Sequence, residues 1–364
     1  MSNKATIHIG SRKLGAHSIN HQSMTAKQLL HEYSLTGCSQ ELRKQMLDQK
    51  FVLEDVAILG QWTTIYASPN TGKTLLTLWM LHESLAKGQI DGDEVFYVNA
   101  DDTFRGVVEK TELAEEWGFH MITPNQNGFT SRIIIDLMVE MAERDGAKGV
   151  VIVLDTLKKF TDLMHKKEAS EFGAIARGFV SAGGTLIVLA HVNKHRAADG
   201  KPVYGGTSDI RDDSDCVFIM DLVDGERYQG VMSVEMTADK VRGDVADKVC
   251  LQYKSVRGQS YADLIDSVKR IDHDYLDNMK AQRLVEAKLA EDQPVIDAVI
   301  RHIDAGIKSK SKLVTAVNAD TGVSHARIRK VLLDRTGGVF NLGHRWCVQI
   351  GAHNKQEYAV LMTH

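Results

Sequence analysis

An α/β fold, with a mostly parallel sheet flanked by helices, is what this 364-residue chain predicts, and three observations carry the prediction. Between residues 52 and 253, short β-rich apolar runs alternate with amphipathic helical stretches, as strands joined by crossover helices do. Several runs, such as Val150-Val151-Ile152-Val153-Leu154, are apolar at every position, the mark of strands buried on both faces. The first run, Thr63-Thr64-Ile65-Tyr66, passes through a Gly-Lys-Thr loop directly into an apolar helix that begins at Leu75.

In chain order, residues 1–22 are polar and without a sustained period, which reads as a flexible arm. Residues 25–49 carry a helical pattern around Leu29, Leu30, Leu42 and Met46, broken at Thr36-Gly37; residues 1–50 are thus an N-terminal arm and helical segment. A core domain over residues 51–258 contains strands at 63–66, 95–99, 149–154, 185–190, 216–222 and 231–237. Residues 259–292 intersperse Asp and Glu with Lys and Arg and read as a helical linker or packing helix. Residues 293–364 form a separate basic unit with a C-terminal tail.

Composition narrows the class. With 43% hydrophobic and 25% charged residues and few prolines, the chain is of ordinary globular type rather than disordered. Cys38, Cys216, Cys250 and Cys347 lie far apart and form no C-x-x-C pair, which argues against a disulfide framework or zinc ribbon and fits a reducing compartment. No apolar run approaches the roughly 20 residues that span a bilayer, and Met1-Ser2-Asn3-Lys4 is not followed by a signal-peptide core. A cytoplasmic protein with no membrane partner is expected.

Ala67-Ser68-Pro69-Asn70-Thr71-Gly72-Lys73-Thr74 has the form G-x-x-x-x-G-K-[ST], with Ala67 at the first glycine position. Such a loop turns backbone N–H groups inward, and the following helix adds its positive N-terminal end. Lys73 would reach the β- and γ-phosphates and the Thr74 hydroxyl would bind Mg²⁺, so ATP and Mg²⁺ are the expected ligands. Hydrolysis needs more: a second carboxylate for the metal, a group that positions water, and a sensor of the γ-phosphate. Asp155, at the end of the 149–154 run, supplies the carboxylate at the sheet edge where ligands bind in open α/β folds. Asp101 and Asp102 end the second strand; Asp101 is the candidate to polarise water, with Asp102 its competitor and a helix N-cap the bland reading of either. His191 ends the fourth strand, where it would face the γ-phosphate or sit as a hydrogen-bonded core histidine.

These residues resemble the RecA-like ATPases and, within them, the DnaB-type and plasmid RepA-type ring helicases, over residues 50–255. Ala67 and Pro69 match the loop of DnaB-type proteins; Asp101 resembles the catalytic glutamate, one methylene shorter; His191 resembles the sensor in its RepA-type form. The stretch 204–215 looks like the segment after the family's mobile central loop. Met236-Thr237-Ala238-Asp239-Lys240-Val241-Arg242-Gly243 resembles the Lys-x-Arg-x-Gly turn, and the resemblance implies that Lys240 and Arg242 reach the γ-phosphate held by a neighbouring subunit of a homo-oligomeric ring. It also implies that Lys194, Arg196 and Lys201, in the loop from Asn193 to Gly206, hold single-stranded nucleic acid in a central channel; a plain surface loop is the alternative.

In the C-terminal unit, helices are expected over 295–305, 309–317 and 324–335, with Thr321-Gly322-Val323 as the turn of a helix-turn-helix and 337–348 as a hairpin wing. From Arg301 to Ile350 there are nine Lys or Arg against three Asp, an excess of six positive charges. Ser324 can cap the third helix and present His325, Arg327, Arg329 and Lys330 to duplex DNA, with Arg345 on the wing. The unit therefore resembles winged-helix domains, some of which bind protein instead. The expected function is an ATP-hydrolysing, ring-forming helicase for replication or recombination of a plasmid, phage or integrated element. Its rival is a DNA-binding regulatory protein controlled by nucleotide.

Overall fold

The computed structural model of the protein describes residues 25–45, 49–144, 146–162, 165–193, 205, 208–223, 230–350 and 355–361. The arm expected over residues 1–22 lies outside them. The chain divides into two compact units, Met1–Ile271 and Asp272–His364.

In the first unit, α1 (Ala26–Glu32) and α2 (Ser39–Gln45) flank the expected break, where Gly37 takes φ 94. A small hairpin of β1 (Phe51–Leu53) and β2 (Ala57–Ile58) then enters the alternating core. The order is β3 (Trp62–Ala67), α3 (Lys73–Ala86), β4 (Val95–Asn99), α4 (Phe104–Trp117), β5 (His120–Ile122), α5 (Ser131–Glu143), β6 (Val151–Asp155) and α6 (Lys166–Ser181). It continues with β7 (Thr185–His191), α7 (Ser208–Asp213), β8 (Cys216–Leu222), β9 (Val231–Lys240), β10 (Lys248–Lys254), α8 (Tyr261–Asp266) and β11 (Lys269–Arg270). Among the described residues these strands make a nine-stranded sheet in the order β11-β10-β9-β8-β3-β7-β6-β4-β5. The six from β8 to β5 are parallel, and β9, β10 and β11 pair antiparallel along one side.

The apolar runs have a simple origin. Along β6, Val151 and Val153 enter a core shared with α3 and α4, while Ile152 and Leu154 enter a second core with α5 and α6. β3 alternates the same way, Ile65 and Ala67 against Trp62 and Tyr66. Because both faces are covered, each position is apolar, and each fully buried Val, Leu or Ile contributes about 1.5–3 kcal/mol. The six strands expected from the sequence are all present. Three further strands join the sheet: β10, of seven residues, is not among the expected ones, and β5 and β11, only three and two residues long, are too short to show a period; β11 carries the sheet past residue 258.

The second unit contains α9 (His273–Asp304), α10 (Lys310–Thr321), α11 (His325–Asp334), β12 (Trp346–Ile350) and β13 (Gln356–Val360). Two expectations are corrected here. The helix expected over 295–305 is the last part of one 32-residue helix that runs through Pro294. A proline removes one backbone hydrogen bond, and burial of Val295, Ile296, Val299 and Ile303 holds the segment helical. The hairpin expected over 337–348 starts later, because Phe340–Leu342 is a 3-10 turn and buried Trp346, whose indole N–H donates to the Leu332 carbonyl at 3.0 Å, anchors the start of β12. The helix-turn-helix is present: Gly322 takes φ 70 after α10, and the Ser324 hydroxyl accepts from the Arg327 N–H at the start of α11. No helix among the described residues is long and apolar enough to cross a membrane.

One carboxylate ties α11 to α9. Asp292, 4% exposed, accepts from Arg335 at 2.6 and 3.1 Å and from Arg327 at 2.7 Å. Asp292→Ala would leave the buried Arg335 guanidinium without its counter-charge, a loss on the order of 3–5 kcal/mol. Denaturant unfolding should show the second unit destabilised by that amount, with the transition of the first unit unchanged.

Candidate active site

Strand β3 ends at Ala67, and the chain turns through Ser68, Pro69, Asn70, Thr71 and Gly72 before α3 begins at Lys73. Asn70 and Gly72 take positive φ, 63 and 90, and the buried Thr71 hydroxyl donates to the Ser68 carbonyl at 2.8 Å, closing the loop on itself. Gly72 is required twice over: its φ disfavours a side chain, and a Cβ there would lie 2.8 Å from the Tyr253 hydroxyl. No side chain caps α3, so its first N–H groups can face an anion.

Asp155 is the last residue of β6. Alternation places it on the face of Val151 and Val153, the side on which α3 packs. Its Oδ2 accepts from the Thr74 hydroxyl at 2.5 Å and from the Tyr97 hydroxyl at 2.9 Å, and its Oδ1 lies 3.8 Å from Lys73 Nζ. A hydroxyl beside a carboxylate is a donor set of hard oxygens, which fits Mg²⁺. Burial first, and then the Asp155 charge, push the Tyr97 phenol well above its ordinary pKa, so it stays a neutral donor.

The two aspartates after β4 part company. Asp102 accepts from Asn99 at 3.1 Å and the Thr103 N–H at 2.8 Å and pairs with Lys110, itself 6% exposed; it holds the start of α4. Asp101 instead pairs with Lys158 at 2.8 Å and Lys159 at 3.2 Å, in the turn that follows Asp155. Burial raises the Asp101 pKa, and the two lysines outweigh it, leaving the carboxyl below its ordinary value. His191 ends β7, paired in register with Ala67. Burial, then Lys73 and Lys158, hold its pKa below the ordinary 6.5, so the ring is mainly neutral at pH 7. The Ala67 carbonyl lies near enough to favour the charged ring slightly, yet neither ring nitrogen has a well-formed hydrogen bond among the described residues. Across the expected central loop, the Gly205 N–H donates to the His191 carbonyl at 3.1 Å. Lys194, Arg196 and Lys201 lie outside the described residues.

Lys240 and Arg242 sit elsewhere. Ala67 is level with Met220 on β8, and Met220 with Met236 on β9, whereas Lys240 is level with Val217 at the opposite edge of the sheet. Three residues of β8, about 10 Å, separate the two levels. Lys240 donates to the Arg211 and Asp212 carbonyls, and burial with the neighbouring Arg242 charge lowers its pKa. Arg242 pairs at 3.3 Å with Asp215, which also accepts from Arg177 and from the Trp62 N–H. Neither cation is brought to this chain's own phosphate loop.

In the second unit, Arg327 is engaged by Glu291 and Asp292, and Arg345 by the Phe340 and His344 carbonyls with its guanidinium 4.0 Å over the Phe340 ring. His325, Arg329 and Lys330 are exposed and make no ion pair among the described residues. Tyr97 and the pair Lys158-Lys159 are site residues that sequence reasoning did not single out. The lysines follow the Asp155 strand directly, a usable signal; a tyrosine inside an apolar strand has none.

No protein-family model matches the chain, and no curated protein matches it. Among solved structures it is similar to the flagellar accessory protein FlaH from Methanocaldococcus jannaschii, at 11% identity over 60% of this chain and 91% of that one, with a TM-score of 0.40. The mostly parallel sheet, with helices packed on both faces and the Gly-Lys-Thr loop at the end of β3, is the α/β fold expected from the sequence.

Lys73→Ala removes a cation from the first turn of α3 and not an apolar side chain from the core, and Thr74 and Tyr97 still donate to the buried Asp155, so the protein should stay folded with a modestly lower unfolding midpoint. ATP turnover should fall by about 10²–10³-fold or more, since a fixed donor to developing charge is lost. A malachite-green phosphate assay beside a melting curve checks both.

Proposed function

We propose that the protein is an ATP-hydrolysing motor that assembles head to tail on nucleic acid and separates strands, a DNA helicase for replication or recombination of a plasmid, phage or integrated element. The observation that carries the reading is the separation of the cations: Lys73 stands at one edge of the sheet and Lys240 with Arg242 at the other. A pair that cannot reach its own loop can complete the loop of a second copy.

In this reading Lys73 and the loop N–H groups hold the phosphates, and Thr74 and Asp155 hold Mg²⁺, which when bound neutralises charge on the β- and γ-phosphates. Asp101 orients the attacking water once Lys158 and Lys159 turn to phosphate. The neutral His191 ring faces the γ-phosphate and reports its loss through the Gly205 N–H to the loop that carries Lys194, Arg196 and Lys201. Lys240 and Arg242 act in trans; arginines supplied this way contribute roughly 10³–10⁵ in rate in well-studied nucleotidases. Arg329 and Lys330, with His325, are the groups of α11 available to duplex phosphates.

Two experiments test this. Arg242→Ala should bind ATP and hydrolyse it poorly; mixed one to one with Lys73→Ala, about a quarter of head-to-tail contacts would pair an intact loop with an intact finger. Activity should return to about that fraction, and mixtures no better than their parents despite co-assembly would refute the shared site. ATP-dependent displacement of a strand from forked DNA is expected. ATP-dependent DNA binding without displacement would make the protein a nucleotide-controlled regulator instead.

A further inference from the structure

We propose that Tyr97 is a positioning residue for the metal carboxylate, deciding which oxygen of Asp155 faces Mg²⁺; the assignment rests on the ATPase reading above. Tyr97 is fully buried at the centre of β4, level with Val153 on β6, and its ring lies in the core beneath α3. From there the hydroxyl reaches up to Asp155 Oδ2 at 2.9 Å, the same oxygen that accepts from Thr74 at 2.5 Å. Two donors occupy Oδ2, and Oδ1, turned toward Lys73, is the oxygen left for the metal or its bound water. With one of the two donors removed, the carboxylate can rotate about its Cβ–Cγ bond and exchange its oxygens. The Thr74 hydroxyl would then have to satisfy Oδ2 alone while also offering a lone pair to the ion.

Partners that orient metal ligands typically contribute 10–100-fold in metal affinity. Tyr97→Phe keeps the ring in its core and deletes only the hydroxyl, so the fold should persist, which a melting curve checks. The measurement is equilibrium binding of a fluorescent ADP analogue across a Mg²⁺ titration, with EDTA as the metal-free arm. In Tyr97→Phe the Mg²⁺ midpoint should rise by about tenfold, while affinity in EDTA should match the parent. Mn²⁺, which such sites bind more tightly than Mg²⁺, should restore binding. A Mg²⁺ midpoint within about twofold of the parent overturns the assignment, because the range for such partners begins near tenfold. So does an equal loss in EDTA, which would mark a purely structural role. If the parent itself shows no Mg²⁺-dependent nucleotide binding, the ATPase reading falls and this assignment falls with it.

Discussion

The hydrogen bond between Thr74 and Asp155 joins the two halves of the site, and much of the first unit is arranged so that it can form. Thr74 belongs to the first turn of α3 and Asp155 to the last position of β6, and in the sheet β7 lies between β3 and β6. Bridging that gap requires the loop to curl back over β7, which positive φ at Asn70 and Gly72 permits. It also places a carboxylate 3% exposed at the rim of a hydrophobic core. Unpaired, such a group would be costly to bury. Thr74, Tyr97 and Lys73 offset the cost together, which gives the tyrosine hydroxyl a role in β4 beside the apolar Val95, Phe96 and Val98.

What could be read from residues alone follows from how local each signal is. The loop, the doubly apolar strands and Asp155 at the end of one of them are contiguous in sequence, so spacing and composition were enough. Tyr97 was not legible because its role depends on a register between β4 and β6, whose residues are 58 apart in the hydrogen bond it makes. The choice between Asp101 and Asp102 also needed three dimensions: Lys110, eight residues on, folds back onto Asp102, and Lys158 and Lys159 arrive from another strand. β10 pairs with β9 and β11 in turn with β10, and the two residues of β11 are held by that pairing and not by any pattern of their own.

In the second unit the expected excess of positive charge is real in composition and smaller in availability. Of the nine Lys or Arg between Arg301 and Ile350, Arg301 pairs with Asp320, Arg327 and Arg335 close on Asp292, and Arg345 caps carbonyls. Lys308, Lys310, Lys312, Arg329 and Lys330 remain exposed without an ion pair among the described residues. Two of the five arginines in this stretch, Arg327 and Arg335, thus hold α11 against α9. A count of basic residues overstates the charge a partner would meet whenever arginine also serves as a packing residue.

In the proposed shared site, the placement of Lys240 and Arg242 across the sheet from Lys73 would give each copy a giving edge and a receiving edge. Copies joined through such edges form a directional row rather than a symmetric pair, since the two surfaces in contact are different. In an open row one terminal copy would hold a loop that nothing completes, and the other would present a finger with nothing to serve. Only closure uses every edge. Output per copy would then climb as the row lengthens and step up once more when its ends meet, so dilution would be felt as lost turnover before any single copy had unfolded.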